Sequence, residues 1–240
     1  VNKPDPLQRV RVVLVGTSHP GNIGAAARAM KTMGLTALYL VRPRRFPDPE
    51  ATAMAAAAAD VLEGARQWDS LDEALAGTVL AAGLTARHRE LAPQPLTPRE
   101  AAPELLDAAQ AGPVAVVFGN EANGLTREEL QRCRMLVHIP GNPLYNSLNL
   151  AAAVQVMCYE LRMALPQAGG GKAHLREMAR HEDMEHFYAH LERTLVAVGF
   201  LEPQRSRRSM RRLRRIFDRA RLEKEEVNLL HGILKAVDRQ

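Results

Sequence analysis

The chain has 240 residues, 46% of them apolar in the broad count and only 4% aromatic. That size allows one or two domains with a real core, and scarce aromatics beside abundant alanine favour helices packed on a sheet over a β-sandwich. The net charge is +5, and with no apolar run approaching about 18 residues a helical membrane span is excluded.

In chain order, Val10–Val15 (VRVVLV) reads as a buried strand, and Gly16 to Gly24 as a turn-rich loop. Ala25–Met33 has helical spacing, with Gly34 as its stop. Ala37–Val41 is a second strand, followed by a loop rich in Pro and charge. Thr52–Leu62 reads as an alanine-rich helix, Leu71–Leu75 as a short helix, and Val79–Leu84 as a third strand. A Pro-studded passage leads to a helix near Glu104–Ala109. Strand Val114–Phe118, a helix and strand Met135–Ile139 follow, then a long helix over Leu148–Leu165. Strands alternating with helices predict an α/β fold with a mainly parallel sheet and helices on both faces.

Gln167–Gly171 (QAGGG) breaks this pattern and reads as a flexible link. Beyond it the chain is helical throughout. Met184, Phe187, Leu191, Leu195 and Val198 form one apolar stripe, Met210, Leu213, Phe217 and Ala220 a second, and Val227, Leu230, Ile233, Leu234 and Val237 a third. The spacing predicts a small all-α domain of three helices, near the size limit of independent stability.

The charge is uneven. From Lys172 onward there are 16 Lys and Arg against 11 Asp and Glu, while the preceding 171 residues hold 16 of each. Between Arg205 and Arg221 lie nine arginines and one acid, Asp218. Such density repels itself unless a polyanion is near, so Arg205, Arg208, Arg211, Arg212, Arg215 and Arg219 are candidate nucleic-acid contacts. A solvated basic face is the bland alternative.

Two strand-ending loops concentrate the remaining signal. GNEANGL starts at Gly119, and IPGNPLYNSLNL runs from Ile139 to Leu150. Apolar strand, small-residue loop, helix is how an open α/β sheet builds a ligand crevice at its strand ends. An earlier stretch, NIGAAAR from Asn22 to Arg28, places an arginine one helical turn after Gly24. These three motifs, in this order, resemble those of the TrmH-like branch of the SPOUT superfamily of RNA 2′-O-methyltransferases. Thr17–Leu35 and Phe118–Cys133 are similar to the TrmJ-type tRNA methyltransferases in particular. Those proteins usually carry Gly-Arg-Glu and Thr-Ser-Ala where this chain has Gly119-Asn120-Glu121 and Leu84-Thr85-Ala86.

The resemblance implies a trefoil knot formed by the two crevice loops, a homodimer, and S-adenosylmethionine as methyl donor without a metal. It implies a SPOUT domain over residues 1–166, a linker over 167–174 and a basic RNA-binding extension over 175–240. Arg28, Asn22, Glu121, Ser147 and Asn149 become catalytic-site candidates, with Glu121 expected to hold Arg28 or the knot loops. Leu84, Thr85, Ala86, Gly119, Ile139, Asn146, Ser147 and Leu148 become cofactor contacts. A guanidinium stays protonated at neutral pH, so Arg28 suits positioning the nucleotide and favouring an ionised 2′-oxygen better than proton abstraction. Helix capping is the bland alternative for Asn22, Ser147 and Asn149.

The expected substrate is nucleotide 32 of tRNA, cytidine or uridine. The rivals are another RNA position, such as the wobble ribose or 23S ribosomal RNA, and a catalytically silent RNA-binding protein. Cys133 and Cys158 lack metal spacing and read as thiols of a reducing cytoplasm, and neither a secretory leader nor a membrane partner is expected. His186 and His190 share a helix face without a third ligand, so a polar helix face is the reading there. Trp68 is expected in the core. Tyr145 is open between stacking on a base and core packing.

Overall fold

The computed structural model describes residues 5–86, 94–142, 144–165, 177–202 and 206–239. Six strands form one sheet: β1 (Val10–Val15), β2 (Ala37–Val41), β3 (Arg66–Trp68), β4 (Leu80–Leu84), β5 (Val114–Phe118) and β6 (Met135–Val137). Their order is β3-β2-β1-β5-β4-β6, and every neighbouring pair is parallel. A parallel sheet must be covered on both faces, which is why Val12–Val15 of β1 and VAVVF are continuous apolar runs.

Alternation along each strand divides the core. Val12, Leu14, Val116 and Phe118 pack with α1 (Pro20–Met33), α2 (Pro49–Ala55), α3 (Ala59–Glu63), α5 (Pro98–Ala111) and α7 (Leu150–Met163). Val13, Val15, Ala115 and Val117 face α4 (Leu71–Leu75) and α6 (Arg127–Gln131) on the other side. This is the α/β architecture predicted from the sequence.

Several boundaries differ, each for a local reason. Helix α1 starts at Pro20, so Asn22 and Gly24 lie inside it rather than in a loop. Pro20 presets the first-turn φ. The glycine at 24 serves helix approach: a Cβ there would sit 2.0 Å from the Ala51 carbonyl oxygen of α2. The alanine-rich run breaks into α2, a 3-10 turn and α3, with Ala56 at φ 50°. Helix α5 begins before Pro103 because Thr97 and Glu100 form a capping box. Strand β3 is short and polar at its exposed positions, so no apolar run announced it. Its Trp68 is only partly buried, stacked on Tyr39 at 6.1 Å between ring centroids.

Strand β6 ends at Val137, two residues early, because its partners change. Thr85 N donates to Val137 O (2.9 Å), Leu96 N donates to Leu136 O (2.9 Å), and His138 N donates to Leu96 O (2.8 Å). Thus β6 runs between β4 and the returning segment at Leu96.

After α7 come α8 (His181–Ala197), α9 (Ser206–Ala220) and α10 (Lys224–Val237), packed around Met184, Phe187, Tyr188, Leu191, Met210, Val227 and Leu234. Val198, Ile233 and Val237 of the predicted stripes are exposed instead. The glycine-rich stretch 167–174 and Arg205 lie outside the described residues. No helix among the described residues is long and apolar enough to cross a membrane.

Because Gly24 sits directly against α2 backbone, Gly24→Ala must separate the two helices. Urea unfolding is expected to show a loss of about 1–3 kcal/mol, the range for overpacking a tight contact.

Candidate active site

The carboxyl ends of β4, β5 and β6 open into a pocket of about 320 Å³. It is lined by Leu84, Thr85, Ala86, Gly119, Ile139, Asn146, Ser147 and Leu148, together with Asn120, Glu121 and the rest of the loop to Leu125. Three separate connections therefore share one crevice at the strand ends of an α/β sheet.

The loops after β5 and β6 bond their own backbone through asparagine side chains. After β5, the Asn120 side-chain oxygen accepts from Ala122 N (3.1 Å) and Asn123 N (2.8 Å), while Gly124 N donates to Asn120 O (2.9 Å). The chain folds back so tightly that a Cβ on Gly119 would lie 2.0 Å from the Gly124 carbonyl carbon. Close approach at Gly119 is thus demanded by the loop itself. After β6, Asn142 Oδ1 accepts from Leu144 N (3.0 Å), and Asn146 Nδ2 reaches the Ala86 carbonyl at 3.3 Å. Asn149, not Ser147, caps α7, its Oδ1 accepting from Ala151 N at 2.9 Å. Ser147 is left exposed at the pocket.

Glu121 joins the motifs. One carboxylate oxygen accepts from Ser18 N (3.0 Å) and Ser18 Oγ (2.7 Å); the other accepts from His19 N (3.3 Å) and Asn22 Nδ2 (2.8 Å). Asn22 Oδ1 in turn accepts from Asn149 Nδ2 at 3.1 Å. His19 is the N-cap of α1 and makes no side-chain capping bond, so Glu121 supplies the negative partner for the helix amino end. Burial pushes this carboxyl up, but the bonds from Asn22 and Ser18 outweigh it and hold the pKa at about 2.

Of the roles expected for Glu121, the pairing with Arg28 falls away here. Glu121 makes no ion pair with Arg28 among the described residues; its oxygens are taken by Ser18, His19 and Asn22. Glu121 thus occupies the amino end of α1. Arg28 lies exposed further along α1 and does not line the pocket. Ser18 was missed in the sequence because a serine in a turn-rich loop carries no signal for a partner 103 residues away.

The basic helix α9 is sorted by packing. Arg208, Arg212 and Arg219 are exposed, and Arg211 and Arg215 half-buried. Arg214 turns inward, 4.2 Å above the Tyr188 ring and bonded to Glu185. His190 bonds His231 and Asp238, each at 2.8 Å, and Tyr145 stands 78% exposed, which removes core packing as its role.

Comparison with known proteins gives a consistent picture. Residues 9–159 match the model of the SpoU rRNA Methylase family, and residues 182–240 match the C-terminal domain of the tRNA methyltransferase TrmJ. The chain is 51% identical over 239 residues to the tRNA (cytidine/uridine/adenosine-2′-O-)-methyltransferase TrmJ of Pseudomonas aeruginosa, covering 95% of this chain and 93% of that protein. Its structure resembles the crystal structure of TrmJ from Z. mobilis ZM4 with a TM-score of 0.82 at 33% identity, covering 95% of this chain and 98% of that one. A likeness in fold alone, at 21% identity and a TM-score of 0.52, extends to the SpoU methyltransferase AviRb from Streptomyces viridochromogenes in complex with AdoMet, over 63% of this chain and 58% of that one.

A carboxyl depressed on folding stabilises the fold above its ordinary pKa and loses that contribution as pH falls through its folded value. Glu121→Gln is therefore expected to lower Tm fully above pH 4.5, with the gap to the parent protein closing as pH falls toward about 2. Calorimetry across that range checks it.

Proposed function

The chain belongs to the SpoU rRNA methylase family, and on that basis we propose that it is a tRNA ribose 2′-O-methyltransferase using S-adenosylmethionine, with cytidine or uridine 32 as its target. The observation that carries this reading is the shared crevice, tied to α1 by the Asn149–Asn22–Glu121 chain. The TrmJ C-terminal match over residues 182–240 supports tRNA over ribosomal RNA.

The residues present fit the methyl donor. The pocket volume of about 320 Å³ falls at the lower end of small-molecule sites. Leu84, Ile139 and Leu148 offer an apolar wall, while Asn146, Ser147 and the backbone at Thr85, Ala86 and Gly119 offer polar groups. When bound there, S-adenosylmethionine supplies a methyl group already activated by its sulfonium. The protein's work is then to align the ribose and exclude water. Glu121, Asn22 and Asn149 hold the loops in register, and Ser147 faces the reacting side.

In this reading Arg28 binds the target nucleotide, and its positive charge favours the ionised 2′-oxygen. Since Arg28 does not line its own chain's pocket, we assign it to the crevice of a second copy across a homodimer. Leu144 at 94% exposed, with Tyr159 and Met163 exposed on α7, supplies apolar surface for that contact. The passage of β6 between β4 and Leu96 supports a trefoil knot at the crevice. Residues 1–166 carry methyl transfer, residues 167–174 link, and residues 175–240 hold the tRNA, whose processing places this work in the cytoplasm.

Calorimetric titration with S-adenosylmethionine tests the reading, and absence of binding sinks it. Arg28→Ala is expected to abolish transfer to tRNA while cofactor affinity stays near that of the parent. Replacing Arg208, Arg212 and Arg219 together by alanine is expected to weaken tRNA binding and flatten its salt dependence, by roughly 0.9 in logarithmic slope for each phosphate no longer neutralised. Filter binding at several salt concentrations measures both.

A further inference from the structure

The helical extension is not simply tethered; a line of alternating charges bolts it to the sheet domain. Asp72 on α4 lies 3.3 Å from Arg132 Nε, just after α6. Arg132 Nη1 reaches Glu185 of α8 at 2.7 Å, and Glu185 binds Arg214 of α9 through both oxygens, at 2.6 and 2.9 Å. Backbone bonds flank this line: His181 N donates to Thr78 O at 2.6 Å, and Gly77 N donates to the Glu182 carboxylate at 2.8 Å. Glu185 and Arg214 are only 22% and 20% exposed, so this is a part-desolvated network rather than a solvated surface pair. Burial raises the Glu185 carboxyl, yet Arg214 and Arg132 hold it below the ordinary value.

The place of attachment matters. Thr78 precedes β4 and Arg132 precedes β6, so the clasp grips the amino ends of strands whose carboxyl ends form the pocket. Along β4, grip and pocket are separated by a strand of five residues, about 17 Å at ~3.3 Å per residue. Arg214, the last charge in the line, belongs to the same helix as the outward-facing Arg208, Arg212 and Arg219. Fixing Arg214 therefore fixes the direction in which that basic face points.

Resting on the function proposed above, we propose that Arg132 and Glu185 are positioning residues: their clasp makes α9 a rigid arm whose offset from the crevice selects which tRNA nucleotide is methylated. A tRNA is itself stiff, so a fixed grip at one place fixes what arrives at another. With the clasp broken, the arm keeps its affinity for phosphate but loses its reference to the crevice.

The test maps methylated nucleotides by mass spectrometry on whole tRNA, with kcat, KM and S-adenosylmethionine affinity, for the parent, Arg132→Ala, Arg132→Lys and Asp72→Asn. Arg132→Ala is expected to lower kcat/KM about tenfold, a typical weight for loss of coupling between sites, and to spread methyl groups over neighbouring nucleotides. Its cofactor affinity is expected to stay unchanged, and Arg132→Lys to restore the single product. If Arg132→Ala does not fold, Asp72→Asn carries the same readout. A single, parental product from Arg132→Ala, or from Asp72→Asn where Arg132→Ala does not fold, or loss of cofactor affinity alongside the loss of rate, overturns the proposal. A parent protein that methylates no tRNA overturns the functional reading beneath it instead.

Discussion

Glu121 reaches from the loop after β5 to the first turn of α1, and there it meets Ser18, His19 and Asn22. A helix amino end presents unpaired N–H groups and a partial positive charge. A carboxylate is a strong partner for both, which is why this one is held at about 2 despite its partial burial. Asn22 passes the contact on to Asn149, the cap of α7. One acid thus fixes the relative position of three segments distant in sequence.

The same site shows how small residues are used. Gly119 allows a loop to fold on itself, and Gly24 allows α1 to lie against α2. Both stand in motifs that read as ligand loops, and each is already required by contact between two parts of the chain itself. The polar pocket residues divide in a similar way. Asn120, Asn142 and Asn149 spend their side-chain oxygens on backbone N–H groups, leaving Ser147 exposed at the crevice. The asparagines and glycines set the shape of the crevice loops.

The C-terminal helices follow the same division between internal and external use of one residue type. Arg214 neutralises Glu185 and covers Tyr188, while Arg208, Arg212 and Arg219 on the same helix face solvent. Burial decides between them: a guanidinium leaves water only where a carboxylate and a ring face replace it. Inside the extension, burial raises Asp218 to about 6 even beside Tyr188 and Arg134, so this interior tolerates charge at some cost.

Largely apolar runs made β1, β2, β4 and β5 legible, because a strand covered on both faces has few polar positions. Helical spacing located the three C-terminal helices, and the order of three motifs carried the resemblance to a methyltransferase family. The eight residues named from that resemblance line one pocket, although no periodicity linked them. Short polar β3, the early start of α1 and the partners of Glu121 were not legible, since each depends on a neighbour far along the chain. The inward turn of Arg214 and its link through Glu185 to Arg132 belong to the same class. Local residues determine which segments are helix or strand; only packing decides which polar groups find each other, because a hydrogen bond or ion pair exists only once the fold has brought both ends together and removed the competing water.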